Sequence, residues 1–324
     1  MSRKAVVIGI DEYPGQMRLH GCVRDAETFH KLIAFNGDDS RNFEAGIERN
    51  VPTKHELTEK VYDLFKGDED IALLYFSGHG TTNQLDTYLV TPDFRKFDPG
   101  LSLSHLLSMA NTSRCRNKII ILDCCHSGAA GIAPVTGSSL SMLGQGVTIL
   151  SASKENENAL ESGTGVFTGL LIQALSGGAA DIRGNITPGS IYAYIDQALG
   201  VFDQRPVFKT NISAFTSLRK VDARISDSIL KNLTRYFPDP TQEKPLNPSF
   251  EYTNDPDEKP LLLKPYADPE LVPVFKELQK MVGVGLVEPV GSPYMYWAAM
   301  ESRSCRLTPL GQHYWRLVHK YKNF

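Results

Sequence analysis

The chain contains few cysteines, with five in 324 residues. Two of them are adjacent, and so sparse a set does not form the disulfide framework that stabilises small secreted proteins. The sequence therefore predicts a reducing, cytoplasmic environment in which a thiol stays available for chemistry. Long hydrophobic runs are also missing, since no apolar stretch approaches the roughly 20 residues of a membrane-spanning helix.

Strong net charge is absent as well. The formal net charge is -3 at pH 7, and charged residues make up 22% of the chain. Nucleic acids and anionic membrane surfaces attract proteins with a clear excess of basic residues. The charge balance therefore argues against both as main partners. A content of 41% hydrophobic residues is typical of a globular protein with a substantial core.

Apolar runs alternate with helix-spaced segments over the first two-thirds of the chain. Strands are predicted at residues 4–10, 71–76, 118–122 and 147–151, and helices at residues 24–35, 54–65, 165–175 and 188–199. This alternation predicts an α/β fold, in which helices cover both faces of a mostly parallel sheet. Ligands of such sheets bind beyond the carboxyl ends of the strands.

The last third of the chain has a different composition. Residues 1–215 form the first predicted domain, residues 216–265 a helix and linker, and residues 266–324 a small helical, winged-helix-like module. Basic residues slightly outnumber acidic ones in this module, without the basic stripe that DNA binding requires. Its aromatic residues favour a compact core or a protein-docking face, with DNA binding as the alternative: Tyr294, Tyr296, Trp297, Tyr314 and Trp315.

Two polar motifs follow predicted buried strands. His79 lies between two glycines directly after the strand at 71–76, and Cys125 lies in the sequence Asp-Cys-Cys-His-Ser-Gly after the strand at 118–122. A thiolate attacks a carbonyl when a base takes its proton and when backbone N–H groups, here those of Gly80 and Cys125, stabilise the oxyanion. A single cysteine or histidine at a strand end is more often a packing or surface residue. The pair, each set beside glycine, favours a catalytic dyad.

These motifs resemble those of the metacaspases and their prokaryotic relatives, the orthocaspases, over residues 4 to about 211. The histidine precedes the cysteine by 46 positions, close to the caspase spacing of roughly 50. The resemblance implies a caspase-like three-layer sandwich and a cysteine endopeptidase that forms a thioester acyl-enzyme. It also implies that Cys125, the third residue of the motif, is the nucleophile and His79 its base. Successive side chains of an extended chain point to opposite faces, which disfavours Cys124 and His126 in these roles.

A third stretch, at residues 19–26, resembles a segment that forms part of the metacaspase S1 pocket. Carried over by position, the pocket comprises Cys22, Asp25, Ser77 and Asp123. Two carboxylates in a narrow pocket pair with a guanidinium and repel an aspartate. The resemblance therefore implies cleavage after Arg or Lys. The alternative is structural: Asp25 caps the following helix, and Asp123 braces the loop that carries the cysteine.

The sequence departs from the family at its calcium ligands. Many metacaspases bind calcium through aspartates, one of them seven residues beyond the nucleophile, and that position is Ile132 here. Three aspartates between the two motifs are isolated from one another, whereas calcium needs clustered oxygen ligands: Asp86, Asp93 and Asp98. The sequence therefore predicts no metal site and no cofactor.

The resemblance also implies a biological setting, that of a regulated endopeptidase acting on protein substrates in a bacterial stress or defence pathway. A regulatory protein partner would bind through the C-terminal module. A catalytically silent scaffold and a DNA-associated regulator are the alternatives. The intact pair of His79 and Cys125 argues against the scaffold, and mild basicity is the only support for the regulator.

Overall fold

The computed structural model describes residues 1–124, 143–152, 166–199, 206–255 and 263–321, and its chain divides into two compact units, Met1–Asp222 and Ala223–Phe324. The boundary lies a few residues beyond the predicted end of the first domain at residue 215. Backbone hydrogen bonds attach this extra stretch to the first unit, since Gly37 N–H donates to Lys220 O at 2.7 Å and Val221 N–H to Gly184 O at 2.8 Å.

The first unit contains five helices and eleven strands among its described residues. In chain order these are β1 (Arg3–Gly9), α1 (Cys22–Ala34), β2 (Glu44–Arg49), α2 (Lys54–Phe65), β3 (Ile71–Ser77), β4 (Gly80–Thr82), β5 (Thr87–Arg95), β6 (Asp98–Ser102), α3 (Leu103–Thr112), β7 (Asn117–Asp123), β8 (Val147–Ser151), α4 (Val166–Gln173), β9 (Asn185–Ile186), α5 (Pro188–Ala198), β10 (Val207–Asn211) and β11 (Arg219–Lys220).

Six of these strands form the central sheet, in the order β10-β8-β7-β3-β1-β2. Five are parallel to one another, and β10 pairs antiparallel to β8 at one edge. All seven residues of β3 are buried, as expected for a central parallel strand that is covered on both faces. The predicted α/β fold with a mostly parallel sheet is therefore confirmed.

Helices cover both faces of the sheet. On one face, apolar residues of α2 and α3 such as Leu57, Val61 and Leu106 pack against alternate residues of the strands. On the other face, Phe29 of α1 and Leu171 of α4 belong to a second buried cluster. Burying a large aliphatic or aromatic side chain contributes about 2 kcal/mol. The two clusters thus define the three-layer sandwich.

Several elements of this unit were not expected from the sequence. The edge strand β2 has no fully buried residue and carries Glu44, Glu48 and Arg49, charges that protect an exposed edge. Strands β4, β5 and β6 form a separate antiparallel sheet directly after His79. Its first two strands hold that histidine, since Val90 N–H donates to His79 O at 3.0 Å.

The second unit combines short helices with a three-stranded sheet. Its elements are α6 (Asp227–Lys231), α7 (Leu233–Tyr236), β12 (Lys244–Pro245), α8 (Leu271–Gly283), β13 (Val287–Val290), α9 (Met295–Met300), β14 (Ser304–Leu307) and α10 (Pro309–Lys320), and the strand order is β12-β14-β13. The predicted C-terminal helices are present. The stretch predicted as a helix and linker, residues 216–265, contains α6, α7 and β12.

The aromatic residues of the second unit fall into two groups. The Trp315 indole N–H donates to Phe237 O at 2.6 Å and thereby anchors α10 within the unit. Tyr294 and Trp297, by contrast, are 68% and 49% exposed. Within the described ranges, no helix of either unit has the length and apolar character of a membrane span.

Candidate active site

The two polar motifs meet at the carboxyl ends of neighbouring strands. Strands β3 and β7 pair along their whole length, and their last residues, Ser77 and Asp123, are opposite each other. Gly78 N–H donates to Asp123 O at 3.4 Å, and on the other side Ile10 N–H donates to Ser77 O at 3.0 Å. The ends of β1, β3 and β7 therefore form one continuous rim, as expected for ligand sites of parallel sheets.

His79 is fixed in position by three hydrogen bonds. Its Nε2 lies 2.6 Å from Met17 O, its backbone N–H donates to the Tyr13 hydroxyl at 3.0 Å, and its carbonyl accepts from Val90. A carbonyl oxygen only accepts, so Nε2 carries the proton in the neutral ring. The basic nitrogen is then Nδ1. This arrangement leaves His79 with one defined nitrogen for taking a proton.

Tyr13 supports His79 from the side. The two rings meet edge to face with centroids 4.5 Å apart, and the Tyr13 hydroxyl donates to Val90 O at 3.1 Å. Burial raises the pKa of Tyr13 well above its usual range, so the phenol stays a neutral donor. A Cβ at position 78 would lie 2.6 Å from the tyrosine oxygen. The glycine before His79 is therefore required by this close approach.

The proposed nucleophile, Cys125, lies outside the described residues, as does Ile132. Its neighbour Cys124 is described and is 3% exposed, within the buried cluster that includes Leu122. Asp123, between these two residues, faces the opposite side and accepts a hydrogen bond from Thr168 of α4. Successive residues point to opposite faces here, and Cys124 is a core residue. Gly80, the predicted oxyanion donor, is half-buried at the start of β4.

The four predicted S1 residues lie together at this rim. Asp25 and Cys22 come from the first turn of α1, and Asp25, Ser77 and Asp123 are 5%, 1% and 7% exposed. Burial raises the pKa of Cys22 to about 12, and the carboxylates of Asp11, Asp123 and Asp25 add to the shift, whereas a hydrogen bond with Ser77 lowers it. The Cys22 thiol therefore stays protonated, in contrast to an activated nucleophile.

Asp11 caps the helix that carries two of these residues, a role that its position at the end of a predicted strand does not indicate. Its carboxylate accepts from Cys22 N–H at 2.9 Å and from Val23 N–H at 3.2 Å. The helix begins after Gly21, which offers no side-chain cap, and Asp25 lies within the first turn rather than before it. Asp11 thus takes the capping role that the sequence had offered as an alternative for Asp25. Helix α1 starts close to the end of β1. A Cβ at position 9 would lie 2.5 Å from Cys22 O, so this position requires glycine.

The three isolated aspartates serve local structure. Asp86 accepts from the N–H groups of Thr87 and Ser104, Asp93 accepts from Lys54 N–H, and Asp98 pairs with Lys54 Nζ at 2.6 Å. Among the residues that the structure describes, no group of three or more His, Cys, Asp or Glu side chains is arranged to hold a metal ion.

Comparison with known proteins finds a matching family model, a curated relative and similar solved structures. The family model of the caspase domain matches residues 2–216. Metacaspase-4 from Arabidopsis thaliana is 28% identical over 158 residues, which cover 40% of this chain and 34% of the relative. The match therefore spans about a third of that protein's length. A solved structure of pro-sf-caspase-1 aligns with a TM-score of 0.44 and 10% identity, covering 67% of this chain and 94% of that one.

Proposed function

Because the chain belongs to the caspase-domain family, we propose that it is a cysteine endopeptidase that cleaves proteins after arginine or lysine. The observation that carries the specificity is a pair of buried carboxylates, Asp25 in the first turn of α1 and Asp123 at the end of β7. Burying an ionised carboxylate costs free energy, and two carboxylates in one pocket also repel each other. A guanidinium or ammonium group of the substrate offsets both costs, whereas an aspartate adds a third negative charge.

The reaction follows from the histidine's orientation. His79 Nδ1 takes the thiol proton of Cys125, and the thiolate attacks the carbonyl carbon of the scissile bond. The oxygen of the tetrahedral intermediate gains a negative charge and accepts from the backbone N–H groups of Gly80 and Cys125. The imidazolium then protonates the leaving amine, and a thioester remains. His79 next takes a proton from water, which hydrolyses the thioester and restores the thiol.

Met17 and Tyr13 act on this cycle through His79. The Met17 carbonyl accepts from Nε2–H throughout and stabilises the imidazolium when Nδ1 is also protonated. Tyr13 keeps the ring from turning away. These two groups are positioning elements, because neither touches the peptide bond that breaks.

The setting of this activity rests on resemblance and on the second unit. The cysteines that the structure describes are free thiols, which fits a reducing cytoplasm: Cys22, Cys115, Cys124 and Cys305. The exposed aromatic side chains of Tyr294 and Trp297 support a regulatory protein partner, since aromatic residues are enriched in protein interfaces. We place the enzyme in a bacterial stress or defence pathway, as the resemblance implies.

Covalent labelling tests the proposed reaction. A peptidyl chloromethyl ketone with arginine at P1 should add once per chain, and peptide mapping by mass spectrometry should find the adduct on Cys125. The matched reagent with aspartate at P1 should label at the slow rate of a free thiol in solution. An adduct on Cys22 or Cys124, or equal labelling by both reagents, would contradict the proposal.

A further inference from the structure

A buried chain of hydroxyl groups ends on one of the two pocket carboxylates. Thr168 Oγ1, on α4, donates to Asp123 Oδ2 at 2.5 Å, and the Tyr75 hydroxyl, on β3, lies 3.0 Å from Thr168 Oγ1. Thr168 and Tyr75 are both 0% exposed. This series of hydrogen bonds therefore links α4, β3 and β7 behind the pocket. Its two hydroxyl groups have no access to solvent.

The direction of the hydrogen bonds in this chain is determined by chemistry. A threonine has one hydroxyl proton and an ionised carboxylate has none to give, so Thr168 donates to Asp123. Because Thr168 has no second hydroxyl proton, its oxygen can only accept from Tyr75. Tyr75 therefore donates to Thr168. Burial, with the nearby carboxylates of Asp123 and Asp25, raises the pKa of Tyr75 well above its usual range. Tyr75 therefore always has the proton that this bond needs.

A further pocket residue, Ser77, lies near the Tyr75 end of this series of hydrogen bonds. The Ser77 hydroxyl is close enough to Tyr75 and to the Cys22 thiol that its interaction with each opposes the rise in their pKa values. The Tyr75 ring stacks on Phe29 of α1 with centroids 4.4 Å apart and an interplanar angle of 15°. This stacking fixes the ring, and with it the position of the hydroxyl that supports Thr168.

A buried hydroxyl group at position 168 needs polar partners, and Asp123 and Tyr75 supply them. Its neighbours on α4, Phe167 and Leu171, belong to the apolar cluster on this face, and valine has nearly the same shape as threonine without the polar atom. Burying a hydroxyl without a hydrogen-bond partner costs free energy. Asp25 and Asp123 share one pocket, so each disfavours the charge of the other. A strong donor at Asp123 offsets that repulsion.

We propose that Thr168, held by Tyr75, orients the Asp123 carboxylate and keeps it ionised, and so determines how well the pocket binds a basic P1 side chain. This inference rests on the proposed function for its substrate. Thr168 and Tyr75 are positioning residues, since they act through Asp123. Loss of the Thr168 hydroxyl would remove a buried donor from the carboxylate, and the neutral acid would then persist to higher pH.

The variant Thr168→Val tests this role against Thr168→Ser, which keeps the hydroxyl. With a P1-arginine peptide at pH 7, we expect Thr168→Val to raise KM roughly tenfold or more with little change in kcat, because a hydrogen bond to a charged group is lost. Thr168→Ser should recover most of the wild-type KM. The control is Thr148→Val, which removes another buried hydroxyl, one bonded to Thr210 at 2.8 Å between β8 and β10, and should leave KM unchanged.

The pH dependence separates positioning from general destabilisation. Asp123 faces Asp25 and Cys22 from α1, Tyr75 from β3 and Thr168 from α4, and Asp11 lies beside Cys22. Among these groups, the substitution Thr168→Val removes only the hydroxyl that donates to Asp123. The rise of KM on acidification should therefore begin at a higher pH in Thr168→Val than in the wild type and in Thr168→Ser. A parallel loss at every pH, or no recovery by serine, would overturn the inference.

A second measurement does not depend on activity. In protein labelled with 13C at aspartate carboxyl carbons, Asp123 is assigned by comparison with Asp123→Asn, and its titration is followed by NMR. We expect Thr168→Val to move that titration to higher pH and Thr168→Ser to restore it. An unchanged titration would refute the role of Thr168. If the titration moves but wild-type protein cleaves no P1-arginine or P1-lysine peptide, the proposed specificity fails while the coupling of Thr168 to Asp123 stands.

Discussion

Replacement of Cys125 by alanine should abolish peptide cleavage, with kcat/KM falling on the order of 10⁴-fold or more. The magnitude follows from the mechanism, because a nucleophile and its base act as a unit and the remaining groups cannot form the acyl-enzyme. The measurement is kcat/KM on one P1-arginine peptide, with a thermal melt to show that the variant is folded.

The adjacent cysteine provides the matched control. Cys124 is buried among apolar side chains, so Cys124→Ala should keep substantial activity and lose about 1 kcal/mol of stability from the smaller side chain. If the Cys124 variant were inactive and the Cys125 variant active, the nucleophile would have been assigned to the wrong thiol.

The second large effect is expected at Asp25. Asp25→Ala should cost roughly 2–5 kcal/mol in transition-state binding of a P1-arginine peptide, because the buried cation would lose one of its two partners. That corresponds to roughly a 30- to 4,000-fold decrease in kcat/KM. Asp25→Asn keeps the shape and removes only the charge, so it should lose most of the same activity.

Glu27 offers a control on the same helix. It is half-buried and pairs with the exposed Arg49 at 2.8 Å, so Glu27→Ala should leave kcat/KM near the wild-type value. A similar loss in the Glu27 and Asp25 variants would indicate that the helix tolerates no change. If Asp25→Asn kept full activity on the P1-arginine peptide, the negative charge of Asp25 would not be needed to bind the basic side chain.

The sequence predicts those parts of the fold whose signal is local. Strands β3 and β7 are continuous apolar runs that stop at polar motifs, and the helix at Lys54–Phe65 has the bounds that its apolar spacing predicts. His79 could be selected because it directly follows one of these runs. The pocket set, by contrast, came from resemblance, since nothing in the spacing of Cys22 and Asp25 connects them to β7.

The supporting groups of the site could not be found in the same way. Tyr13 and Met17 contact His79 from 66 and 62 positions away, and Met17 does so through its backbone carbonyl, a group that every residue has. Asp11 looks like the end of a strand in the sequence. Thr168 lies in an apolar helix, where a threonine gives no signal until α4 is packed against β7.

Strand β10 and the small sheet of β4, β5 and β6 could not be predicted from the sequence for a related reason. Strand β10 pairs antiparallel to β8 and has no fully buried residue, so its apolar pattern is weak. The small sheet of β4, β5 and β6 forms around Gly100, whose φ of 150° and close approach to Leu89 O exclude a side chain. Such a contact depends on the partner strand, which local periodicity does not reveal.

The central claim is that this chain uses Cys125 to cleave after a basic residue bound by two buried carboxylates. The most direct test is turnover of fluorogenic peptides that differ only at P1, with wild-type protein and Cys125→Ala measured side by side. We expect the wild type to cleave the peptides with arginine and lysine and to leave those with aspartate intact, and Cys125→Ala to cleave none. Equal turnover of the P1-aspartate and P1-arginine peptides, or cleavage that survives in Cys125→Ala, would contradict the account.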